Sequence, residues 1–164
     1  EAIGADAQLM PRRAGAKAPL LMLVVGETAR ADHFSLNGYA RDTNPETAAL
    51  GLLSFSRVSS CGTNTAASLP CMFSHLGRDA FVARKLDHEN LLDLLQRAGL
   101  AVLWLDNQSG CKGLCDRVPH AAAIDAPNGT THAPGLCSEG ECLDEALLTG
   151  LEQRLAALLR RDAG

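Results

Sequence analysis

Two continuous apolar runs, Leu20-Leu21-Met22-Leu23-Val24-Val25 and Leu100-Ala101-Val102-Leu103-Trp104-Leu105, constrain the fold of this chain more than any other feature. Neither run alternates with polar residues, so each fits a strand covered on both faces, as in a parallel sheet. Gly26 ends the first run and Glu27 follows at once; the second runs into Asp106-Asn107-Gln108-Ser109. Ahead of the second run, Asn90 to Ala98 carries leucines at helical spacing, and Gly99 stands where a C-terminal cap belongs. A helix followed by a buried strand is the repeating unit of an α/β fold. Ligands of open α/β sheets gather beyond the carboxyl ends of the strands. If the two runs are parallel, Glu27 and the Asp106–Ser109 loop therefore emerge on one edge. By position alone, Glu27 serves equally well as a site carboxylate or as a capping or solubilising group.

Between the runs lies Ser59-Ser60-Cys61-Gly62-Thr63-Asn64-Thr65-Ala66-Ala67-Ser68-Leu69-Pro70-Cys71, rich in small hydroxyl residues. Its Gly-Thr-Asn-Thr segment reads as a turn entering a helix, because Thr and Asn oxygens accept from first-turn N–H groups. A hydroxyl at such a helix start lies where backbone donors and the helix dipole favour negative charge. Thr65 is thus a candidate nucleophile for phosphoryl-group chemistry, although most Ser/Thr/Gly clusters are ordinary loops.

The remaining segments are less constrained. Residues 1–18, with Pro11 and the Arg12-Arg13 pair, read as a linker. Thr28 to Thr43 reads as a loop with one helical turn, and Thr43-Asn44-Pro45-Glu46 as a helix start with capping-box spacing, closed by Gly51. Leu53 to Val58 permits a short strand. Ser138 and Glu141 form a second capping-box pattern, and Leu143, Leu147, Leu151, Leu155, Leu158 and Leu159 make an apolar helical stripe.

At 164 residues the chain is one domain or a piece of one. Its net charge of −4 and its 4% aromatic content argue against a nucleic-acid partner. No apolar run reaches the roughly 18–20 residues that span a bilayer. Glu1 to Met10 lacks the pattern of a signal peptide, so an export signal, if there is one, lies outside this chain. The six cysteines point to export. They fall into the close pairs Cys61/Cys71, Cys111/Cys115 and Cys137/Cys142, the simplest of fifteen possible pairings. The rival reading is a four-thiolate zinc site from Cys111, Cys115, Cys137 and Cys142.

A threonine hydroxyl needs a base or a metal to become a useful nucleophile, and zinc can supply that by binding the alkoxide and polarising the phosphoryl oxygen. Glu27 and Thr65 are the candidate ligands. None of His33, His75, His88, His120 and His132 forms a ligand pair by spacing.

Taken together, Val24-Val25-Gly26-Glu27-Thr28-Ala29-Arg30-Ala31-Asp32-His33, Asn37-Gly38-Tyr39, Ser60-Cys61-Gly62-Thr63-Asn64-Thr65-Ala66 and Pro70-Cys71-Met72-Phe73-Ser74 closely resemble the lipid A phosphoethanolamine transferases, the group that includes the polymyxin-resistance enzymes. The similarity runs from about Leu20 onward. It implies an alkaline-phosphatase-like α/β/α sandwich on the periplasmic face of the bacterial inner membrane, with residues 19–164 forming its N-terminal part. Residues 1–18 would link it to a membrane domain absent from this chain. The resemblance further implies phosphatidylethanolamine as donor, lipid A as acceptor and zinc as cofactor. Glu27 then matches a zinc ligand, Thr65 the residue that carries the phosphoethanolamine intermediate, and Gln108 and Lys112 the residues that hold the ethanolamine-phosphate group. Gln108 stands where some members have Asn. Cys61 and Cys71 match a disulfide bracketing the nucleophile loop.

The family's further zinc ligands, an adjacent Asp-His before Gly, have no counterpart here: Asp32-His33 and Asp87-His88 lie in other contexts. The expectation is therefore the N-terminal half of a catalytic domain, binding zinc weakly and turning over poorly by itself. Other readings are the same transfer to another periplasmic glycan acceptor, or a non-catalytic, disulfide-stapled exported module. A sulfatase nucleophile needs Cys or Ser before x-Pro-x-Arg, which neither Cys61 nor Cys71 has.

Overall fold

Local side-chain caps set two of the helix starts in the computed structural model, which describes residues 1–11, 13, 15 and 19–161. The helices are α1 (Pro45–Ala49), α2 (Thr65–Met72), α3 (Arg78–Ala83), α4 (Leu91–Arg97) and α5 (Leu151–Arg161); the strands are β1 (Trp104–Asp106), β2 (His120–Ala122), β3 (Cys137–Ser138) and β4 (Glu141–Cys142). They are distributed over two compact units, one of Glu1–Ala14 with Cys61–Gly164, the other of Gly15–Ser60.

In the larger unit α4 is the organising helix. The Asn90 side chain accepts from the Leu92 amide at 2.8 Å, and Asp93 accepts from the Asn90 amide at 2.8 Å, a reciprocal cap that satisfies two first-turn donors. The expected close of this helix at Gly99 holds, with Gly99 at φ 92°. Asn90 also donates to the Leu114 carbonyl at 2.9 Å, and Arg117 grips the buried Asp93 carboxylate through two 2.6 Å hydrogen bonds. Burial pushes the Asp93 carboxyl up, but the Arg117 guanidinium and the Asn90 amide outweigh it and hold it below the usual carboxylate range. Leu69, Phe73, Leu92, Leu114, Val118, Ala123, Ala146 and Leu158 form the core beside these groups. Residues 1–3 lie along α4: Ile3 donates to Glu89 at 3.0 Å and accepts from Arg97. Residues 12, 14 and 16–18 of the expected linker lie outside the described residues.

β1 and β2 pair in parallel, Trp104 opposite His120 and Asp106 opposite Ala122. The second apolar run thus forms a strand only over its last residues and Asp106, because only there does β2 offer ladder partners. The first run, Leu20–Val25, forms no regular secondary structure and belongs to neither sheet. No strand is present among the described residues of its unit, and a ladder cannot form without a neighbour; Leu21 is accordingly 85% exposed and Val24 81%. Leu53–Val58 forms no strand for the same reason.

In the smaller unit, short 3-10 turns cover Ala31–His33 and Ser35–Asn37. The Thr43 hydroxyl donates to the His33 carbonyl at 2.7 Å and accepts from the Ser35 amide at 3.0 Å. It is thereby diverted from the expected capping box, and α1 begins after Asn44 without a side-chain cap.

The Ser138–Glu141 pair is not a capping box either. These residues face each other in the β3–β4 hairpin, whose turn residues Glu139 and Gly140 have φ of 52° and 86°, the positive pair that a type I′ turn requires. The leucine stripe is broken in two, a 3-10 turn over Asp144–Leu148 and then α5. Gly150 separates them at φ 64°, and a Cβ there would lie 2.6 Å from Pro127 Cγ.

Candidate functional site

Thr65 is the first residue of α2, and the Asn64 side chain caps that helix by accepting from the Ala67 amide at 2.9 Å. The sequence-based helix start is therefore observed, with Asn64 as its cap. Cys61 and Cys71 are joined by a disulfide, their Cα atoms 6.2 Å apart. The bridge ties the loop before Thr65 to the last turn of the same helix, where Leu69 and Cys71 are buried. Phe73, the residue after α2, is 3% exposed and meets Trp104 of β1 edge-on with ring centroids 5.8 Å apart. A half-buried hydroxyl is thus placed at the positive end of a helix held at both ends.

Beyond β1, the Asp106 carboxylate accepts from the Gln108 amide at 2.7 Å, the Gly110 amide at 3.3 Å and Trp104 Nε1 at 3.1 Å. Gln108 is exposed. Lys112 is half-buried, adopts φ 53°, and donates from Nζ to the Ser109 carbonyl at 2.6 Å and its hydroxyl at 2.7 Å. The Asn107 amide donates to the Cys142 carbonyl at 2.9 Å and to Asp144 Oδ1 at 2.7 Å, joining the loop to the β3–β4 hairpin. Thr65, Gln108 and Lys112 accordingly share the larger unit. Glu27 belongs to the smaller one, where it is exposed and accepts from the Thr28 hydroxyl at 2.9 Å.

Cys111–Cys115 and Cys137–Cys142 are also disulfides. The described residues contain two groupings of potential metal ligands, His132/Cys137/Cys142 and Cys111/Cys115/Asp116. In both, the cysteine sulfurs are spent in disulfides, so no thiolate remains for the four-cysteine zinc alternative. The histidines are engaged elsewhere: His120 with the Val118 carbonyl at 2.9 Å, His132 with Thr149 at 2.9 Å, His75 edge-on against His88, and His33 against Tyr39. Sequence reading passed over Asp106 as an organiser of its loop, although an acid at a strand end before a polar loop is a usable signal. Nothing local in the sequence marks Arg117 as the partner of Asp93.

A parallel strand pair, a set of short helices and a hydroxyl at a helix start define a partial α/β domain of the alkaline-phosphatase-like class. The family model for sulfatases matches residues 19–163, and the chain belongs to that family. It is 49% identical over 152 residues to phosphoethanolamine transferase EptA of Salmonella typhimurium, covering 92% of this chain and 27% of that protein. It is 48% identical over 146 residues to phosphatidylethanolamine transferase Mcr-1 of Escherichia coli, covering 86% of this chain and 27% of that protein. Among solved structures, the integral membrane protein lipooligosaccharide phosphoethanolamine transferase A of Neisseria meningitidis matches with a TM-score of 0.76 and 44% identity, over 92% of this chain and 27% of the other. The chain thus spans about a quarter of the length of these relatives, and no described helix is long and apolar enough to cross a membrane.

Proposed function

We propose that this chain is the nucleophile-bearing part of a phosphoethanolamine transferase of the periplasmic face of the bacterial inner membrane. Residues 19–164 are the N-terminal part of its catalytic domain, and residues 1–18 lead from a membrane domain. The observation that carries this reading is Thr65 at the first position of α2, capped by Asn64 and bracketed by the Cys61–Cys71 bridge. The relatives supply the substrate chemistry, their names specifying phosphoethanolamine, phosphatidylethanolamine and lipooligosaccharide.

In the first half-reaction the Thr65 oxygen attacks the phosphorus of phosphatidylethanolamine. The bond to the diacylglycerol oxygen breaks, and that oxygen leaves with the proton. In the second, a phosphate oxygen of lipid A attacks the same phosphorus and releases Thr65. A covalent intermediate divides one difficult displacement into two easier ones. Gln108 and Lys112 hold the phosphoethanolamine group, the Lys112 ammonium facing its phosphate. Glu27 and Thr65 offer the hard oxygen donors that suit zinc, which when bound would polarise the phosphoryl oxygen and favour the alkoxide. Modified lipid A carries added cationic groups, and polymyxin resistance follows from the reduced attraction for cationic peptides. Sulfatase chemistry through Cys61 or Cys71 is disfavoured because both thiols are in a disulfide.

The test is lipid A mass analysis in bacteria expressing the full-length protein. Wild type should add phosphoethanolamine to lipid A, and Thr65→Ala at equal abundance should add none. Modification by Thr65→Ala would overturn the reading.

A further inference from the structure

The proposed mechanism gives Asp106 no task, yet its carboxylate organises the loop that carries Gln108 and Lys112. We infer that Asp106 is a positioning residue for the donor headgroup, setting where the Gln108 side chain and the Lys112 ammonium stand relative to α2. This inference rests on the proposed roles of Gln108, Lys112 and Thr65.

Asp106 is fixed to the sheet from its own backbone: it is the last residue of β1, and its carbonyl accepts from the Ala123 amide at 2.7 Å. One carboxylate oxygen is oriented by Trp104 Nε1, and the Trp104 ring rests on Phe73 at the end of α2. The carboxylate is thus referenced to the helix that bears Thr65. The other oxygen accepts the amides of Gln108 and Gly110, the residues on either side of Ser109. Ser109 in turn supplies both oxygens that hold Lys112 Nζ. The ammonium position therefore follows the Ser109 backbone, which follows Asp106.

A second observation points the same way. Lys112 occupies the left-handed region at φ 53°, a conformation that disfavours side chains other than glycine and persists where the surroundings over-determine it. Such residues gather at ligand clamps. Lys112 lies inside the Cys111–Cys115 disulfide loop, two residues after the Gly110 amide that Asp106 holds, so the strained residue is confined by both. The ligand that suits the assembly is an anion with a polar rim, which a phosphodiester headgroup provides.

Two measurements test the role. Amide hydrogen exchange should show Gln108 and Gly110 exchanging about tenfold faster in Asp106→Ala, with the Ala123 amide unchanged, because only the carboxylate bonds are lost. In the full-length enzyme, Asp106→Ala should raise KM for phosphatidylethanolamine about tenfold while kcat changes less than about threefold. Asp106→Asn, which keeps an acceptor for both amides but turns an NH2 toward the Trp104 Nε1 donor, should restore only part of the loss. Adding Asp106→Ala to a Gln108→Ala/Lys112→Ala enzyme should cost little more, since Asp106 acts through those two side chains. Unchanged exchange, or an unchanged KM in an enzyme that Thr65→Ala silences, would overturn the positioning role alone. Transfer by Thr65→Ala would overturn the catalytic reading and the positioning role with it.

Discussion

Replacing Asp93 by Ala removes the acceptor that joins α4 to the segment following the Cys111–Cys115 loop. Three hydrogen bonds are lost, two from Arg117 at 2.6 Å and one from the Asn90 amide at 2.8 Å. Hydrogen bonds to a charged group contribute about 1.5–3 kcal/mol, and half of a reciprocal helix cap adds about 1 kcal/mol. The Arg117 side chain is 51% exposed, so water screens the pair and rehydrates the guanidinium after truncation, which discounts the sum. The net expectation is a loss of about 2–3 kcal/mol, or about 5–10 °C in Tm for a chain of this size. Urea unfolding should show the loss as a lower midpoint with an unchanged slope. The sign of the pH dependence is fixed by the depressed Asp93 carboxyl: its contribution is present above the unfolded value of about 3.9 and disappears as pH falls through the folded value. Wild type and variant should therefore approach each other in stability as the pH falls through the depressed folded value of Asp93. Adding Arg117→Ala to Asp93→Ala should cost little more, because the partner is already gone. A change under about 0.5 kcal/mol at pH 7, or a difference that persists undiminished in strong acid, would refute the assigned network.

Other outcomes follow from single contacts. Asn64→Ala should cost about 1 kcal/mol in thermal unfolding through loss of the 2.9 Å cap on α2, and Asn64→Asp should recover it. Joint replacement of Cys61 and Cys71 by Ala opens a loop with a sequence separation of 10 and should destabilise the chain by about 2–3 kcal/mol, read from urea midpoints. Gly150→Ala should cost about 1–3 kcal/mol, since its Cβ would meet Pro127 Cγ at 2.6 Å in a left-handed backbone.

What the sequence revealed depended on whether the cause was local. The α4 start at Asn90 and the α2 start at Asn64 are decided by side chains bonding to amides two or three residues away, and both were legible. The Thr43 and Ser138 capping patterns were equally good as strings, but competing partners decided them: His33 and Ser35 engage the Thr43 hydroxyl, and the hairpin closed by Cys137–Cys142 takes Ser138. The Leu20–Val25 run has the composition of a buried strand, but a strand needs a ladder partner, and composition does not provide one. At the candidate site, Thr65 and Glu27 stood out through their neighbours in sequence. Asp106 acts through amides of its own loop and was within reach, whereas the Asp93–Arg117 pair spans a sequence separation of 24 and left no local trace.

Transfer in two half-reactions requires Thr65 to become covalently loaded. The most direct measurement is peptide mass mapping of the full-length enzyme incubated with phosphatidylethanolamine and no acceptor. The peptide containing Thr65 should carry one phosphoethanolamine group, discharged when lipid A is added. An enzyme that modifies lipid A while Thr65 stays unloaded, or that carries the adduct on another residue, would contradict it.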